Sequence, residues 1–245
     1  MENIQANNVE HHGGNEINNL EIDAISDLEE ALIVIKQLSE QNADLRRRLY
    51  TDPKTGVASE QFLNNFLENI LNHRLATYNM LSPEDKACAK RHLVLLIDMN
   101  GLKQINDSLS YEDGDKAIIS VADSLKQGLR TNDYLIRMNS AGDEFILIAT
   151  LPNGSNVEEA ELAITQRVKN LVLNRSNGSL TISVGCASLE DHTSFAETKI
   201  KAENAMKNDK DAYYEYNKRL GKAALKNVLT IPQLHEDMVA SKYID

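Results

Sequence analysis

The sequence predicts an α+β domain, in which helices cover a mixed β-sheet, preceded by one further helix. Short dense apolar runs alternate with longer segments of helical periodicity in the order β-α-β-β-α-β. Two of these runs are separated by only a short polar turn, which is typical of a β-hairpin. An apolar stripe near the N-terminus predicts the additional helix. The 245 residues, 42% of them hydrophobic, are sufficient for such a core.

The segment that leads into the domain divides into two parts. Residues 1–20 are rich in Asn, Gly and His, and we expect them to be disordered. Residues 21–50 follow a heptad pattern and predict a helix. Its first and fourth heptad positions hold Leu28, Ala31, Ile35, Leu38, Asn42, Leu45 and Leu49. We favour a parallel coiled-coil homodimer, in which Asn42 pairs across the axis; the alternative is an amphipathic helix that packs on its own domain.

The elements of the domain follow from local patterns. Pro53 ends the N-terminal helix, because proline disfavours a helical residue before it. The apolar runs predict strands at 92–100, 134–138, 144–149 and 180–189, and the helical patterns predict helices at 59–73, 114–128, 157–173 and 194–218. Residues 74–91 are predicted to form a polar, partly helical connection.

Composition narrows the classes of function. A formal net charge of −11 argues against broad binding to nucleic acid or to an anionic membrane, although a small phosphate pocket remains compatible with it. Cys88 and Cys186 stand far apart without the spacing of a metal site. The chain lacks a signal-peptide pattern and an apolar run of the roughly 18–20 residues that a membrane span needs. We therefore expect a cytoplasmic protein with no nucleic-acid or membrane partner.

Three acidic residues are the first candidates for chemistry. Asp98 ends the strand at 92–100, and Asp143 and Glu144 lie at the hairpin turn. If the two strands are neighbours, Asp98 and one of the other acids converge, and their charges repel each other unless a cation is present. Carboxylate oxygens suit Mg²⁺ or Mn²⁺. Taken alone, such acids are more often helix caps or solvated turn residues.

Five segments, in order between residues 51 and 216, together resemble one known family. They are TDPKTGVASEQF, IDMNGLKQINDSLSYEDGD, AGDEF, LTISVGCA and AENAMKNDKDAYY. The first resembles D-x-L-T-G-L-x-N-R-x-x-F, and the second D-x-D-x-F-K-x-I-N-D-x-x-G-H-x-x-G-D. The third is a variant of the GGDEF signature. The chain therefore resembles the diguanylate cyclases, with a GGDEF domain at 51–222 and a C-terminal tail at 223–245.

The resemblance implies a fold and an activity. The expected fold is a palm-like domain related to nucleotide cyclases and polymerases, with a central mixed antiparallel sheet covered by helices. The expected reaction joins two GTP molecules into cyclic di-GMP and two pyrophosphates, with one GTP held by each domain of a homodimer. The N-terminal helix would form that dimer, and a signalling partner could act through it.

The resemblance also assigns metal and catalytic residues. Asp98 and Asp143 are expected to ligate Mg²⁺ or Mn²⁺, helped by the backbone carbonyl of Met99. Glu144 is expected to assist the metal or the deprotonation of the 3′-hydroxyl. The position of the second Asp in D-x-D holds Asn100 here, and we expect this change to be tolerated because that residue is not the essential ligand.

A second set of residues is expected to bind GTP. Asn106 and Asp115 would hydrogen-bond the guanine edge, since an amide and a carboxylate match its donors and acceptors. Lys103 and Lys210 would contact the β- and γ-phosphates, and Gly142 would lie beside the substrate. The last helix permits another alignment, in which Lys218, within KRLGK, takes the phosphate position instead of Lys210.

Three residues before the signature acids depart from the family pattern. Ala141 replaces the first Gly of the signature and adds a methyl group where substrate approaches the backbone, so reduced activity is expected. Asn139 and Ser140 lengthen the hairpin by two residues. Because strand side chains alternate with period two, this insertion keeps Asp143 on the same face.

Arg130 and Asp133 resemble the R-x-x-D inhibitory site of the family, which implies product inhibition by cyclic di-GMP. Arginine suits this role because it binds phosphate or guanine in a bidentate manner. Two alternatives to an active enzyme stay open. One is an inactive domain that binds cyclic di-GMP as an effector, and the other is a scaffold that acts through its helix alone.

Overall fold

The computed structural model of the chain describes residues 13–139 and 142–224, with side chains over 27–139 and 142–220. It divides into two compact units between Arg47 and Arg48. Within the described part, no helix is long and apolar enough to cross a membrane.

The first helix, α1, spans Gly13–Tyr50. It begins eight residues before the predicted start at Glu21, and residues 1–12 of the segment predicted to be disordered lie outside the described part. The heptad residues Leu28, Ile35, Leu38 and Leu45 are each more than half exposed. Leu32, Ile33 and Val34 are also exposed, and they widen the apolar stripe in the middle of the helix.

The second unit is the predicted α+β domain, and the fold class is confirmed. Its sheet has the strand order β1-β3-β4-β2-β5, in which β1 pairs with β3 in parallel and all other pairs are antiparallel. The strands are β1 (Ala58–Ser59), β2 (His92–Met99), β3 (Tyr134–Met138), β4 (Glu144–Thr150) and β5 (Ile182–Ser188). The helices are α2 (Glu60–Phe62), α3 (Glu68–Asn79), α4 (Pro83–Cys88), α5 (Leu102–Ser108), α6 (Tyr111–Gln127), α7 (Val157–Arg175) and α8 (Phe195–Ala224).

Several local differences separate the structure from the elements that the sequence predicts. Ser59, predicted to start a helix, belongs to β1, and a π-helical turn at Leu63–Leu67 joins α2 to α3. Helix α3 continues to Asn79, six residues beyond the predicted end at residue 73. Helix α5 was not predicted, because its seven residues are too few to show a helical period. It follows Gly101, whose positive φ of 77° favours glycine.

Two apolar cores cover the two faces of the sheet. One packs α6 and α7 on alternate residues of β2, and the other packs α3 and α8 on the residues between them. The alternate residues of β2 are Leu93, Leu95 and Ile97 on the first face, and Val94 and Leu96 on the second. This double burial explains why β2 is apolar without alternation. It also makes the end of β2 a rigid support for Asp98.

Candidate active site

The three predicted acids meet at one corner of the sheet. Strand β2 pairs with β4, and Asp98 lies directly opposite Glu144 in the ladder. The backbone N–H of Met99 donates to the carbonyl of Asp143 at 3.3 Å. The two strands are therefore neighbours, which is the condition under which the acids were expected to converge. The side chains of residues opposite each other in a ladder point to the same face of the sheet, so those of Asp98 and Glu144 lie on one face.

The acidic corner has an excess of negative charge. Asp98 is only 5% exposed. Burial raises the pKa of the Asp98 carboxyl, and the charges of Asp143 and Glu144 raise it further. Lys210 lowers it, but the net result is a pKa above the ordinary value. Lys210 Nζ donates to Asp98 Oδ1 at 2.5 Å. Burial lowers the pKa of Lys210, but this bond and the nearby acids outweigh the burial and raise it. One ammonium thus faces three carboxylates.

The corner fits part of a hard-cation site. No three side chains of His, Cys, Asp or Glu in the described ranges form a complete metal cluster. Asp98 and Asp143 would supply two carboxylates, and the Met99 carbonyl would be a third oxygen ligand. Magnesium commonly takes its remaining ligands from substrate phosphates and water. The raised pKa of Asp98 supports this fit, since a cation would offset the repulsion that raises it.

Asn100, beside this corner, has a structural role. It is 5% exposed, and its Oδ1 accepts a hydrogen bond of 2.8 Å from Ser183 Oγ. Its backbone N–H donates to the carbonyl of Thr181 at 2.9 Å. The residue therefore links the end of β2 to β5, a contact that needs no negative charge.

Lys210 is positioned by a buried ion pair that the sequence did not reveal. Lys169 Nζ donates to Asp209 Oδ1 at 2.7 Å, and Asp209 Oδ2 accepts from the backbone N–H of Val184 at 2.9 Å. Helix α8 approaches β5 closely at Gly185, where an added Cβ would lie 2.0 Å from the carbonyl oxygen of Ala202. These contacts fix the part of α8 that carries Lys210.

The structure distinguishes Lys210 from Lys218, the two alternatives that the sequence offers for the phosphate position. Lys218 is largely exposed, and its charged partner is Glu215, at 3.9 Å. Of the two lysines, only Lys210 lies against Asp98. Lys103, the other predicted phosphate ligand, is exposed on α5.

The two predicted guanine-binding residues lie on packed neighbouring helices, α5 and α6. Asn106 Oδ1 is buried against Gly114, where an added Cβ would lie 1.9 Å away. No donor within the described part of the chain reaches this oxygen. Asp115, next to Gly114, has a half-exposed side chain and pairs with Lys54. A buried acceptor without a donor is rare in proteins, and such an atom is often one that hydrogen-bonds a ligand.

The signature turn is held by a buried arginine. Arg137 donates from Nη1 to Asp52 Oδ1 at 3.1 Å, and from Nη2 to the carbonyl oxygen of Gly142 at 2.9 Å. Asp52 also accepts from the backbone N–H and the hydroxyl of Thr55, at 2.8 and 2.6 Å. Ala141 and Ser140 lie outside the described residues.

Sequence reasoning missed the role of Arg137, although one signal was present. An arginine within the apolar run YLIRM requires a buried partner, because an unpaired buried charge is very unfavourable. The identity of that partner, 85 residues earlier, could not be read from the strand itself.

The predicted inhibitory pair lies beside a cavity. Asp133 uses its carboxylate locally, accepting from the backbone N–H groups of Arg130 at 2.9 Å and of Thr150 at 3.1 Å. The Arg130 side chain is exposed and, with Arg167 of α7, lines a cavity of about 200 Å³. Arg167 was not among the predicted site residues. Its Nε atom is buried and has no hydrogen-bond partner in the described structure.

A larger cavity lies elsewhere. It measures about 440 Å³, and His92, Arg74 and Glu190 are among its lining residues, at the opposite end of β2 from Asp98. His92 Nδ1 lies 2.7 Å from Glu190 Oε1. None of the predicted site residues lines this cavity, and the three predicted acids lie at the acidic corner.

Comparisons with known proteins agree with this geometry. The chain is 26% identical over 167 residues to the diguanylate cyclase DosC of Escherichia coli, which covers 67% of this chain but only 33% of DosC. It is 28% identical over 154 residues to the cyclic di-GMP phosphodiesterase NbdA of Pseudomonas aeruginosa, covering 62% of this chain and 18% of NbdA. The chain thus spans a third or less of these two relatives.

A solved structure shows the same fold. The coiled coil and GGDEF domain of DgcB from Caulobacter crescentus, in complex with c-di-GMP, superimposes with a TM-score of 0.60 at 19% identity, over 77% of this chain and 94% of that one. The family described as "Diguanylate cyclase, GGDEF domain" matches residues 49–215. By its motifs, its fold and this match over most of its length, the chain belongs to the GGDEF domain family of diguanylate cyclases.

Proposed function

We propose that the chain synthesises cyclic di-GMP from two GTP molecules. The observation that carries the proposal is the acidic corner, where Asp98, Asp143 and Glu144 come together with Lys210 and the pKa of Asp98 is raised. Carboxylates that repel each other at the end of a rigid strand are suited to a nucleotide-bound cation.

Each step forms one P–O bond and breaks another. The 3′-oxygen of one GTP attacks the α-phosphorus of the other, and pyrophosphate leaves; the reciprocal attack closes the ring. Bound Mg²⁺ or Mn²⁺ would supply Lewis-acid polarisation of the α-phosphate. Glu144, on the exposed edge of the corner, accepts the proton of the 3′-hydroxyl. Lys210 and Lys103 neutralise the β- and γ-phosphates.

The guanine base binds between α5 and α6. Asn106 and Asp115 lie on these adjacent helices, and the acceptor Asn106 Oδ1 lacks a donor within the described residues. Gly142 keeps the backbone beside the phosphates open, since glycine has no side chain there. These assignments place the base and the phosphates on two neighbouring parts of one surface.

Catalysis requires two GTP-loaded domains, and we propose that α1 supplies the second by forming a homodimer. The exposed residues Leu28, Ile35, Leu38 and Leu45 support a coiled coil, since an apolar stripe at heptad spacing is buried by a second copy. Joining two domains raises the effective concentration of one half-site for the other. The wider apolar part at Leu32–Val34 is a place where a signalling partner could act.

We further propose product inhibition at the cavity beside Arg130 and Asp133. Two guanidinium groups, from Arg130 and Arg167, line the cavity, and Arg167 Nε is buried without a hydrogen-bond partner in the described part of the chain. Guanidinium groups bind phosphate and guanine in a bidentate manner. An Arg130→Ala variant that stays as sensitive to added cyclic di-GMP as the parent would refute this site.

The test of synthesis is direct. The purified protein is incubated with GTP and Mg²⁺ over a range of protein concentrations, and cyclic di-GMP is measured. We expect product in the parent and none in Glu144→Gln. Glu158→Gln, which changes an acid in the first turn of α7, is the matched control and should retain the parent rate.

A second function is an inactive domain that binds cyclic di-GMP as an effector. Ala141 and the lengthened hairpin favour it, since both alter the turn in front of the signature acids. Tight binding of cyclic di-GMP together with absence of product at every protein concentration would establish this function and refute the synthesis.

A further inference from the structure

An ion pair between Lys54 and Asp115 lies in the proposed base-binding region. Lys54 Nζ donates to Asp115 Oδ1, and the two side chains are 31% and 48% exposed. Lys54 occupies the third position of the first motif, where the family pattern D-x-L-T-G has leucine. A cation at this position therefore sets this chain apart from the family pattern.

Stability alone does not account for the pair. Ion pairs with this degree of exposure typically contribute little to stability, because water screens the charges and the side chains lose entropy. Asp115 lies on α6 next to Gly114, whose missing side chain leaves room for Asn106. The lysine is thus paired with one of the two residues that the proposed function assigns to base recognition, and that residue follows the glycine against which the other packs.

The donors and acceptors of this group match guanine. Along its Watson–Crick edge, guanine presents the acceptor O6, the donor N1–H and the donor N2–H₂. An ammonium next to a carboxylate presents one donor followed by two acceptors, which is the complementary order. Adenine presents a donor at N6 and an acceptor at N1, and has no exocyclic donor at C2, so it cannot use all three groups.

We propose that Lys54 is a specificity-determining residue that donates to guanine O6 while Asp115 accepts from N1–H and N2–H₂. This inference rests on the proposed function in taking Asp115 as the base-reading carboxylate. It adds a positive recognition element for O6, whereas leucine at the same position offers only an apolar contact.

The test compares bases that carry O6 and N1–H with bases that lack both, in proteins with and without the Lys54 ammonium. Binding of four nucleoside triphosphates is measured with Mg²⁺ in a Glu144→Gln background, so that substrate is not consumed. GTP and inosine triphosphate carry O6 and N1–H, whereas ATP and 2-aminopurine riboside triphosphate lack O6. In this background we expect Lys54→Met to weaken binding of GTP and inosine triphosphate about tenfold, as for one hydrogen bond to a charged donor. Binding of the other two should stay unchanged.

Three further variants control the result. Lys54→Leu, which restores the residue of the motif, should reduce the preference for bases with O6 about as much as Lys54→Met does, and Lys54→Arg should retain most of it. Lys126→Met is the matched control, since Lys126 Nζ donates to the carbonyl of Thr55, beside Lys54, at 3.0 Å. Lys126→Met should leave unchanged the ratio of the affinity for GTP to the affinity for the 2-aminopurine nucleotide.

The outcomes separate this inference from the proposed synthesis. If the ratio of GTP affinity to 2-aminopurine nucleotide affinity is unchanged in Lys54→Met and Lys54→Leu, Lys54 does not recognise O6, even if the parent makes cyclic di-GMP. A ratio reduced about tenfold in both variants supports the role of Lys54, even if the parent makes no product, in which case only the synthesis fails. Equal affinity of the unsubstituted Lys54 protein for all four nucleotides overturns the inference as well.

Discussion

Two buried aspartates near the signature turn have pKa values that are shifted in opposite directions. Asp52 and Asp98 are 3% and 5% exposed. Burial raises the pKa of Asp52, but hydrogen bonds from Thr55 and the ion pair with Arg137 more than offset it, and the pKa is lowered. Burial also raises the pKa of Asp98, and the neighbouring acids prevent Lys210 from offsetting it, so the pKa stays raised.

The difference separates a carboxylate whose charge is balanced within the fold from one that is a candidate for chemistry. The Asp52 carboxylate accepts from Thr55 and Arg137 within its own chain, and its negative charge is balanced there. Asp98 has one ammonium against two further acids. A perturbed carboxyl at an unbalanced corner is a functional candidate, whereas a fully paired one is structural. Four predictions test this contrast, from the largest expected effect to the smallest.

Replacing Arg137 should have the largest effect on folding. Arg137→Met leaves the Asp52 carboxylate buried without its cation, and removing one partner of a buried pair typically costs about 3–5 kcal/mol. The free energy of unfolding from urea titration at neutral pH measures this loss. Activity should also fall, because the carbonyl of Gly142 loses its two donors.

The double variant Arg137→Met/Asp52→Asn provides the control. It should recover part of the lost stability, since the unpaired charge is gone. Equal stabilities of the single and double variants would contradict the role of the Asp52 charge.

Asp98→Asn should affect activity rather than stability. Loss of a proposed metal ligand should reduce cyclic di-GMP synthesis about 100-fold or more, by analogy with the removal of one electrostatic contact in other active sites. The apo protein should be as stable as the parent or slightly more so, because the ionised carboxyl is disfavoured in the fold. Initial rates and urea unfolding measure the two effects. A parent-like rate, or a large loss of stability, would reverse the contrast with Asp52.

Acid should destabilise the parent through Asp52. Its pKa in the folded state lies below the ordinary 3.8, so its contribution is complete above pH 3.8 and is lost as the pH falls through the lower folded value. The contribution of Asp98 to the pH dependence of stability has the opposite sign. Its folded pKa is above 3.8, so the protein gains stability as the pH falls toward 3.8.

Unfolding free energies measured between about pH 2 and pH 7 separate the two residues. Asp52→Asn should flatten the decline below pH 3.8, and Asp98→Asn should flatten the opposing change above it. If Asp52→Asn kept the full acid decline, the lowered pKa of Asp52 would have no part in stability.

Magnesium should produce the smallest effect. An ion that binds only the folded state stabilises it by mass action, so millimolar Mg²⁺ should raise the melting temperature of the parent by a few degrees at saturation. Asp98→Asn should show no such rise, whereas Asp52→Asn should show it from a lower starting temperature. An equal rise in Asp98→Asn would place the cation elsewhere.

Several features of this protein could be predicted from its sequence alone. The apolar runs and the short polar turn between them predicted the β3–β4 hairpin, which the pairing of Met138 with Glu144 confirms. The position of Asp98 at the end of a buried run, and of Glu144 at the start of another, predicted that they meet if the two strands pair, and β2 does pair with β4. These features depend on local periodicity and on the geometry of adjacent strands, both of which are visible along the chain.

Only the tertiary structure decided which distant side chains meet. Arg137 reaches Asp52 across 85 residues, Lys169 reaches Asp209 across 40, and Lys54 reaches Asp115 across 61. No local pattern encodes such pairs, because their partners are brought together by helix packing and strand order rather than by spacing. The acids of the signature could therefore be identified as candidates from the sequence. Their charge balance, which separates Asp98 from Asp52, depends on contacts that exist only in the folded chain.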